Sequence, residues 1–161
     1  MSAEPATTSG RDAPGVIAPP PLVYLGGLLV GFALQRLLPA PRQPRTVTRP
    51  MGGALLVTGV ALAAWFITAF RRAGTPVDPR QTPTALVTTG PYRITRNPGY
   101  LALALVYSGI TLVAGAFWPL LLLVPTLIVI DRGVIAREER YLEVKFGDEY
   151  IELKGRTRRW I

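Results

Sequence analysis

Long apolar stretches separated by basic, proline-rich segments dominate the chain. Residues 22–38 contain one charged side chain, Arg36, and neither residues 51–70 nor residues 99–130 contain any. A helix of twenty residues rises about 30 Å, the thickness of the hydrocarbon core of a bilayer, so each of the first two stretches predicts one span. The third is too long for one span and breaks at 115–119, next to a proline. The predicted fold class is an all-α polytopic membrane protein with four spans, the last two forming a helical hairpin, at about 22–38, 51–70, 99–114 and 116–130.

The polar remainder divides into three segments. Residues 1–21 are rich in Pro, Ala and Thr and lack the pattern of a cleavable signal peptide, so they predict a disordered tail before a single domain at 22–161. Residues 71–98 hold five prolines and predict a loop. In residues 131–161, apolar residues recur with helical spacing as far as Phe146, and Gly147 follows. This last pattern predicts a C-terminal amphipathic helix.

Charge is unevenly distributed along the chain. Eighteen basic residues stand against ten acidic ones, a net charge of +8. With four spans, fourteen Lys and Arg fall on the side of both termini and three on the other side. Positive residues near spans remain cytoplasmic, so we predict a multi-pass protein with both termini in the cytoplasm. The arginines predict contact with membrane lipids, and no recognition fold accompanies them that would indicate nucleic acid.

The absence of two residue types limits the chemistry. The chain has no cysteine and no histidine. Disulfides, thiol nucleophiles, histidine-based triads and the usual zinc ligand sets are therefore excluded, and no metal site is predicted.

One acidic residue departs from the amphipathic pattern of the C-terminal helix. On a helical wheel that starts at Val134, Glu138 lies at about 40°, inside an apolar stripe that is about 140° wide. A carboxylate on such a face is costly unless a polar group meets it. Two interpretations remain open, a structural ion pair with an arginine of the 71–98 loop or contact with a ligand in a cleft.

Two motifs carry a resemblance to a known family. They are TALVTTGPYRITRNPGY at 84–100 and EERYLEVKFGDEYIELKGRTRRWI at 138–161, with the apolar hairpin between them. Over residues 51–161 the chain resembles the isoprenylcysteine carboxyl methyltransferase family and the related phospholipid N-methyltransferases. These are small integral membrane enzymes that use S-adenosyl-L-methionine.

The resemblance implies methyl transfer from S-adenosyl-L-methionine to a lipophilic acceptor at the cytoplasmic membrane face. A carboxylate acceptor is favoured, because it is already ionised and needs no general base. No catalytic residue is assigned, and Glu138 is expected to accept a hydrogen bond from the cofactor. The residues that the resemblance places at the cofactor are Thr84, Ala85, Leu86, Val87, Tyr92, Asn97, Pro98, Gly99, Tyr100 and Glu138.

The chain departs from the family pattern at two positions. Asn97 stands where the family commonly has histidine, and an amide hydrogen-bonds but does not titrate. Val134 stands where the eukaryotic enzymes have an arginine that contacts the substrate. The weaker candidates for contact with the acceptor are therefore Arg96, Arg132 and Arg137.

Two other functions stay open at the level of sequence. One is a membrane reductase that uses a nicotinamide cofactor, and the other is a non-catalytic membrane scaffold or sensor of the same fold. The expected partners are membrane lipids and a lipophilic small molecule or lipid-linked substrate. Gly27 and Gly31 form a GxxxG motif that also fits a helix contact in a homodimer.

Overall fold

The structure is a computed structural model that describes residues 15–38, 40, 43–78 and 81–161. Residues 1–14, most of the predicted disordered tail, lie outside this range. Strands are absent from the described part of the chain, and a short 3-10 turn, Gly90–Arg93, precedes the third helix. The α-helices are α1 (Pro20–Leu37), α2 (Arg45–Ala73), α3 (Pro98–Ala114), α4 (Phe117–Ile130), α5 (Ala136–Phe146) and α6 (Asp148–Arg156).

Three helical segments are long and apolar enough to cross a membrane. They are α1, α2 and the continuous helix that runs from the start of α4 to the end of α5. These segments confirm an all-α membrane protein. The apolar helix α3 has 17 residues and is shorter than these three, so a fourth span remains a prediction.

The helix ends differ from the apolar runs that predicted them. Helix α2 begins at Arg45 instead of residue 51 and ends at Ala73, where Gly74 adopts a left-handed conformation with a φ of 63°. An apolar run marks only the part of a helix that avoids water, and its arginine-bearing ends continue beyond that part. The amphipathic helix ends before Gly147, as predicted, but a further helix, α6, follows it.

Glycines allow α2 and α3 to pack with their backbones in close contact. A Cβ atom built on Gly52 would lie 2.8 Å from the carbonyl oxygen of Gly109, and one built on Gly59 would lie 3.0 Å from the carbonyl oxygen of Ala102. Gly109 meets Gly52 at the same short distance from the other side. Small residues at such positions are what membrane helices need to approach one another closely.

The glycines of the GxxxG motif are used inside the chain. A Cβ on Gly27 would lie 2.5 Å from the hydroxyl of Thr126, and one on Gly31 would lie 2.4 Å from the Cα atom of Pro119. Both contacts join α1 to α4. The contact with α4 already explains the GxxxG motif, so the motif no longer supports a homodimer. The homodimer remains a prediction.

A buried core closes one end of the helix bundle, where α1 begins and α4 ends. Its members are Tyr24, Tyr107, Ile130, Val134 and Ile135. The hydroxyl of Tyr24 donates a hydrogen bond of 3.0 Å to the carbonyl oxygen of Tyr100, in the first turn of α3. Tyr107 donates one of 2.7 Å to the carbonyl oxygen of Pro119. The first bond fixes the start of α3 against α1, and the second joins the middle of α3 to the first turn of α4.

Replacing Gly52 with alanine should weaken the bundle, because both backbones would have to move to admit the methyl group. We expect the free energy of unfolding to fall by about 1–3 kcal/mol. Gly53→Ala is the matched control, since nothing lies within 4 Å of its Cβ position, and it should raise stability by up to about 1 kcal/mol. Thermal unfolding in detergent, followed by tryptophan fluorescence, measures both. Equal melting temperatures for the two variants would contradict the close contact.

Candidate active site

A cavity of about 340 Å³ lies at the closed end of the bundle, below the loop that joins α2 to α3. Its walls come from α2, α3, α5, α6 and the connecting loop, and Pro20 and Pro21 reach it from the start of α1. Its volume is within the range of sites for small molecules. The lining is mostly apolar and aromatic, with a few charged side chains that include Glu138 and Arg96.

Three aromatic rings form one wall of the cavity. The ring centroids of Phe66 and Phe70 are 4.8 Å apart, and those of Tyr92 and the two phenylalanines are 6.4 and 6.0 Å apart. Tyr92 is held there by the 3-10 turn that begins at Gly90, where a φ of 64° favours glycine. The electron-rich faces of such rings favour a bound cation.

Glu138 faces the same cavity from α5. The hydroxyl of Tyr100, in the first turn of α3, donates a hydrogen bond of 2.6 Å to its Oε2 atom. This distance lies at the short end of the range for O–H···O hydrogen bonds, so the bond fixes the orientation of the carboxyl group. Glu138 is partly exposed and lines the cavity, so the carboxylate can accept further hydrogen bonds from a ligand.

Two nearby phenols, Tyr92 and Tyr150, add neutral donors around this carboxylate. Burial raises the pKa of Tyr92 well above its usual value, and the nearby negative charge of Glu138 adds to the shift. Burial likewise raises the pKa of Tyr150, on α6, with Glu139 contributing. At neutral pH both side chains therefore keep their protons and can act as hydrogen-bond donors.

The neighbouring glutamate, Glu139, faces a cluster of charges instead of the cavity centre. Its Oε1 atom is 3.3 Å from Nη2 of Arg96 and 3.2 Å from Nε of Arg159, which also contacts the second oxygen. Arg159 reaches Asp131 as well, at 3.1 Å. Glu139 thus forms the ion pair with an arginine of the 71–98 loop. This ion pair was one of the two interpretations given for Glu138.

A wider turn in the long helix aligns two of these acids. Residues Asp131–Ile135 form a π-turn between α4 and α5. In an ideal α-helix, residues eight positions apart differ in direction by about 80°, and one extra residue in a π-turn reduces this difference to about 20°. Asp131 and Glu139 therefore lie on the same side of the helix, where Arg159 binds both.

The chain beyond α6 lies alongside the segment that precedes α3. Thr95 and Arg158 form a parallel bridge, and the backbone N–H of Arg96 donates to the carbonyl oxygen of Arg158 at 3.0 Å. The side-chain amide of Asn97 donates a hydrogen bond of 2.9 Å to the carbonyl oxygen of Arg159. The position at which the family commonly has histidine thus holds the C-terminal segment in place.

The structure brings together most of the residues that the resemblance places at the cofactor. Eight of the ten line the cavity: Ala85, Leu86, Val87, Tyr92, Asn97, Gly99, Tyr100 and Glu138. The other two lie beside it. Thr84 donates a hydrogen bond of 3.2 Å to the carbonyl oxygen of Gly74, and Pro98 is a buried residue that begins α3.

The three arginines proposed to contact the acceptor lie in different places. Arg96 lines the cavity. Arg132 is exposed beside a different surface cavity, and Arg137 donates a hydrogen bond of 3.0 Å to the carbonyl oxygen of Gly15. Val134 is fully buried in the core and lies away from the cavity lining. Of these three arginines, Arg96 alone borders the described cavity.

Sequence reasoning missed several residues of the site. The aromatic wall of α2 was detectable, because Ala63, Phe66, Ile67 and Phe70 have the spacing of one helix face at the end nearest the polar loop. Tyr150 and Arg159 gave no comparable signal, since their positions depend on α6 and on the backbone pairing that follows it.

Comparison with known proteins adds a family to this geometry. A family model described as phospholipid methyltransferase matches residues 47–149, a range that contains all ten predicted cofactor residues. An uncharacterized protein of Haemophilus influenzae is 45% identical over 62 residues, which are 38% of this chain and 98% of that protein. No solved structure matches the chain.

Proposed function

Because the chain belongs to the phospholipid methyltransferase family, we propose that it binds S-adenosyl-L-methionine beside Glu138 and methylates a lipophilic acceptor. The family match confirms the resemblance predicted from the sequence. Membership and the apolar helices identify a membrane methyltransferase. The observation that carries the cofactor proposal is the convergence of eight predicted cofactor residues on one cavity.

The residues of the cavity fit this cofactor. When bound, it supplies an electrophilic methyl group on a positively charged sulfur. The aromatic faces of Phe66, Phe70 and Tyr92 suit a cation, and the carboxylate of Glu138 suits hydroxyl or ammonium donors. Tyr100 holds that carboxylate in one orientation. The apolar lining limits access of water, which strengthens each of these electrostatic interactions.

The apolar part of the cavity suits a lipophilic acceptor. Ala63 and Ile67 line it from the membrane-spanning helix α2, and Val106 lines it from the apolar helix α3. We favour an acceptor carboxylate, since its oxygen attacks the methyl carbon directly and the carbon–sulfur bond breaks without a proton transfer. With Glu138 engaged by the cofactor, the chain would need to supply only positioning and exclusion of water.

An amine acceptor is the second candidate, and one observation favours it. The charged side chains that line the described cavity include three acids, Asp78, Glu138 and Glu139, and one base, Arg96. Arg96 is already bound to Glu139. An acidic site attracts an ammonium group, and Glu138 could accept the proton that an amine must lose.

The remaining alternatives are distinguished by what the cavity binds. A nicotinamide-dependent reductase would bind NADPH or NADH, whereas a scaffold or sensor need not turn over any ligand. Family membership favours methyl transfer over both.

Cofactor binding is the first test. We expect micromolar binding of S-adenosylmethionine and S-adenosylhomocysteine to the purified protein in detergent, measured by calorimetry. Glu138→Gln should weaken it at least tenfold, since a hydrogen bond to a charged group contributes about 1.5–3 kcal/mol. The exposed Glu149→Gln is the control and should bind as wild type. Binding of NADPH in place of these ligands would contradict the proposal.

Transfer of a radiolabelled methyl group identifies the acceptor atom. We expect label on a prenylated cysteine with a free carboxylate, released by alkali because a methyl ester is hydrolysed, and none on the corresponding amide. Alkali-stable label on phosphatidylethanolamine would support the amine candidate and contradict the carboxylate. Absence of label on both would contradict both.

We also propose that the site lies at the cytoplasmic face and that both termini are cytoplasmic. The cavity is enclosed by the loop between α2 and α3 and by the segment after α4, which carry most of the basic residues. Basic segments near spans remain in the cytoplasm.

Single cysteines test this orientation cleanly, because the chain has none of its own. A membrane-impermeant maleimide should label Thr46→Cys in intact cells, and Glu149→Cys only after permeabilisation. Both positions are exposed. The reverse pattern would place the termini outside, and labelling of both in intact cells would contradict the arrangement of four spans.

A further inference from the structure

Arg159 joins two parts of the site that are far apart in sequence. Its guanidinium binds Glu139 through Nε and Nη2 and binds Asp131 through Nη1, at 3.2 Å for Nε to Oε1 and 3.1 Å for Nη1 to Oδ2. Both acids belong to the long helix formed by α4 and α5. The hydrogen bonds to Glu139 raise the pKa of Arg159, so the guanidinium remains charged.

The backbone of the same residue is bound from the other side. Its carbonyl oxygen accepts a hydrogen bond of 3.1 Å from the hydroxyl of Thr95 and one of 2.9 Å from the side-chain amide of Asn97. Thr95 and Asn97 are both buried and immediately precede α3. Arg159 therefore contacts α5 with its side chain and the start of α3 with its main chain.

The two contact points are adjacent to the pair that faces the cavity. Glu139 is next to Glu138 on α5, and Asn97 precedes Tyr100 by three residues, which is one turn of α3. The hydrogen bond of 2.6 Å between Tyr100 and Glu138 crosses the same gap between helices that Arg159 bridges. Both bonds therefore depend on the separation of α3 and α5.

We propose that Arg159 is a positioning residue that sets the separation of Tyr100 and Glu138 by joining α5 to the segment before α3. The proposal rests on the proposed function, since it assigns this pair to the cofactor site. Arg159 acts through Glu139 and Asn97 and does not line the cavity. The interaction needs the fork of a guanidinium, because one cation must bind two carboxylates at once.

Neighbouring arginines provide a matched comparison. Arg159→Met removes the bridge, whereas Arg158→Met removes the same charge from an exposed side chain one residue away. We expect the dissociation constant for S-adenosylhomocysteine to rise at least tenfold in Arg159→Met and to change less than twofold in Arg158→Met. Arg159→Lys keeps the positive charge but lacks the forked guanidinium, and it serves as a second variant in case Arg159→Met fails to fold. Its affinity for S-adenosylhomocysteine should lie between those of the wild type and Arg159→Met.

A double variant separates positioning from general destabilisation. If Arg159 acts through the Tyr100–Glu138 pair, Arg159→Met combined with Tyr100→Phe should lose no more affinity than the weaker-binding single variant. Losses that multiply, or wild-type affinity in both Arg159→Met and Arg159→Lys, would overturn the proposal.

Amide exchange tests the positioning without any ligand. The backbone N–H of Leu101 donates a hydrogen bond of 3.0 Å to the carbonyl oxygen of Asn97 in the first turn of α3. Its exchange, read by mass spectrometry, should accelerate in Arg159→Met and not in Arg158→Met. Failure of the wild-type protein to bind S-adenosylhomocysteine would contradict the proposed function. In that case the exchange rate of the Leu101 amide alone tests whether Arg159 positions the start of α3.

Discussion

A buried carboxylate next to a membrane must be matched by cations, and in this protein Glu139 is matched by two. Arg96 comes from the loop before α3 and Arg159 from the segment after α6, so one acid holds together parts of the chain that are 20 and 43 residues away. Removing Glu139 would leave the buried guanidinium of Arg96 without its carboxylate, and breaking a buried ion pair in this way costs about 3–5 kcal/mol. The loop, the two C-terminal helices and the cavity that they enclose therefore depend on this cluster.

Much of the fold could be predicted from the sequence because the bilayer restricts what a chain can do. Apolar runs must become helices in lipid, and glycine after the last periodic residue correctly ended α5. What remained hidden was set by contacts between distant residues. Helix α6 is polar along most of its length, and only the burial of Tyr150 and Leu153 explains why it packs where it does.

The site shows the same division between local and distant signals. Glu138 was identified by its position on a helical wheel, which needs only the local sequence. The ion pair expected from its surroundings exists but belongs to the next residue, Glu139. The sequence predicts that Arg159, like the other basic residues, contacts lipid. Only the backbone pairing of the C-terminal segment with the residues before α3 brings it to the acids.

The π-turn has a consequence for how this chain can change over evolutionary time. Because Asp131 and Glu139 share one cation only when five residues fill that turn, loss of a single residue there would rotate α5 by about 100°. Substitutions within the turn leave this phase intact, whereas insertions and deletions do not. In this stretch of the helix the number of residues is therefore constrained as well as the identities of Asp131, Val134 and Ile135.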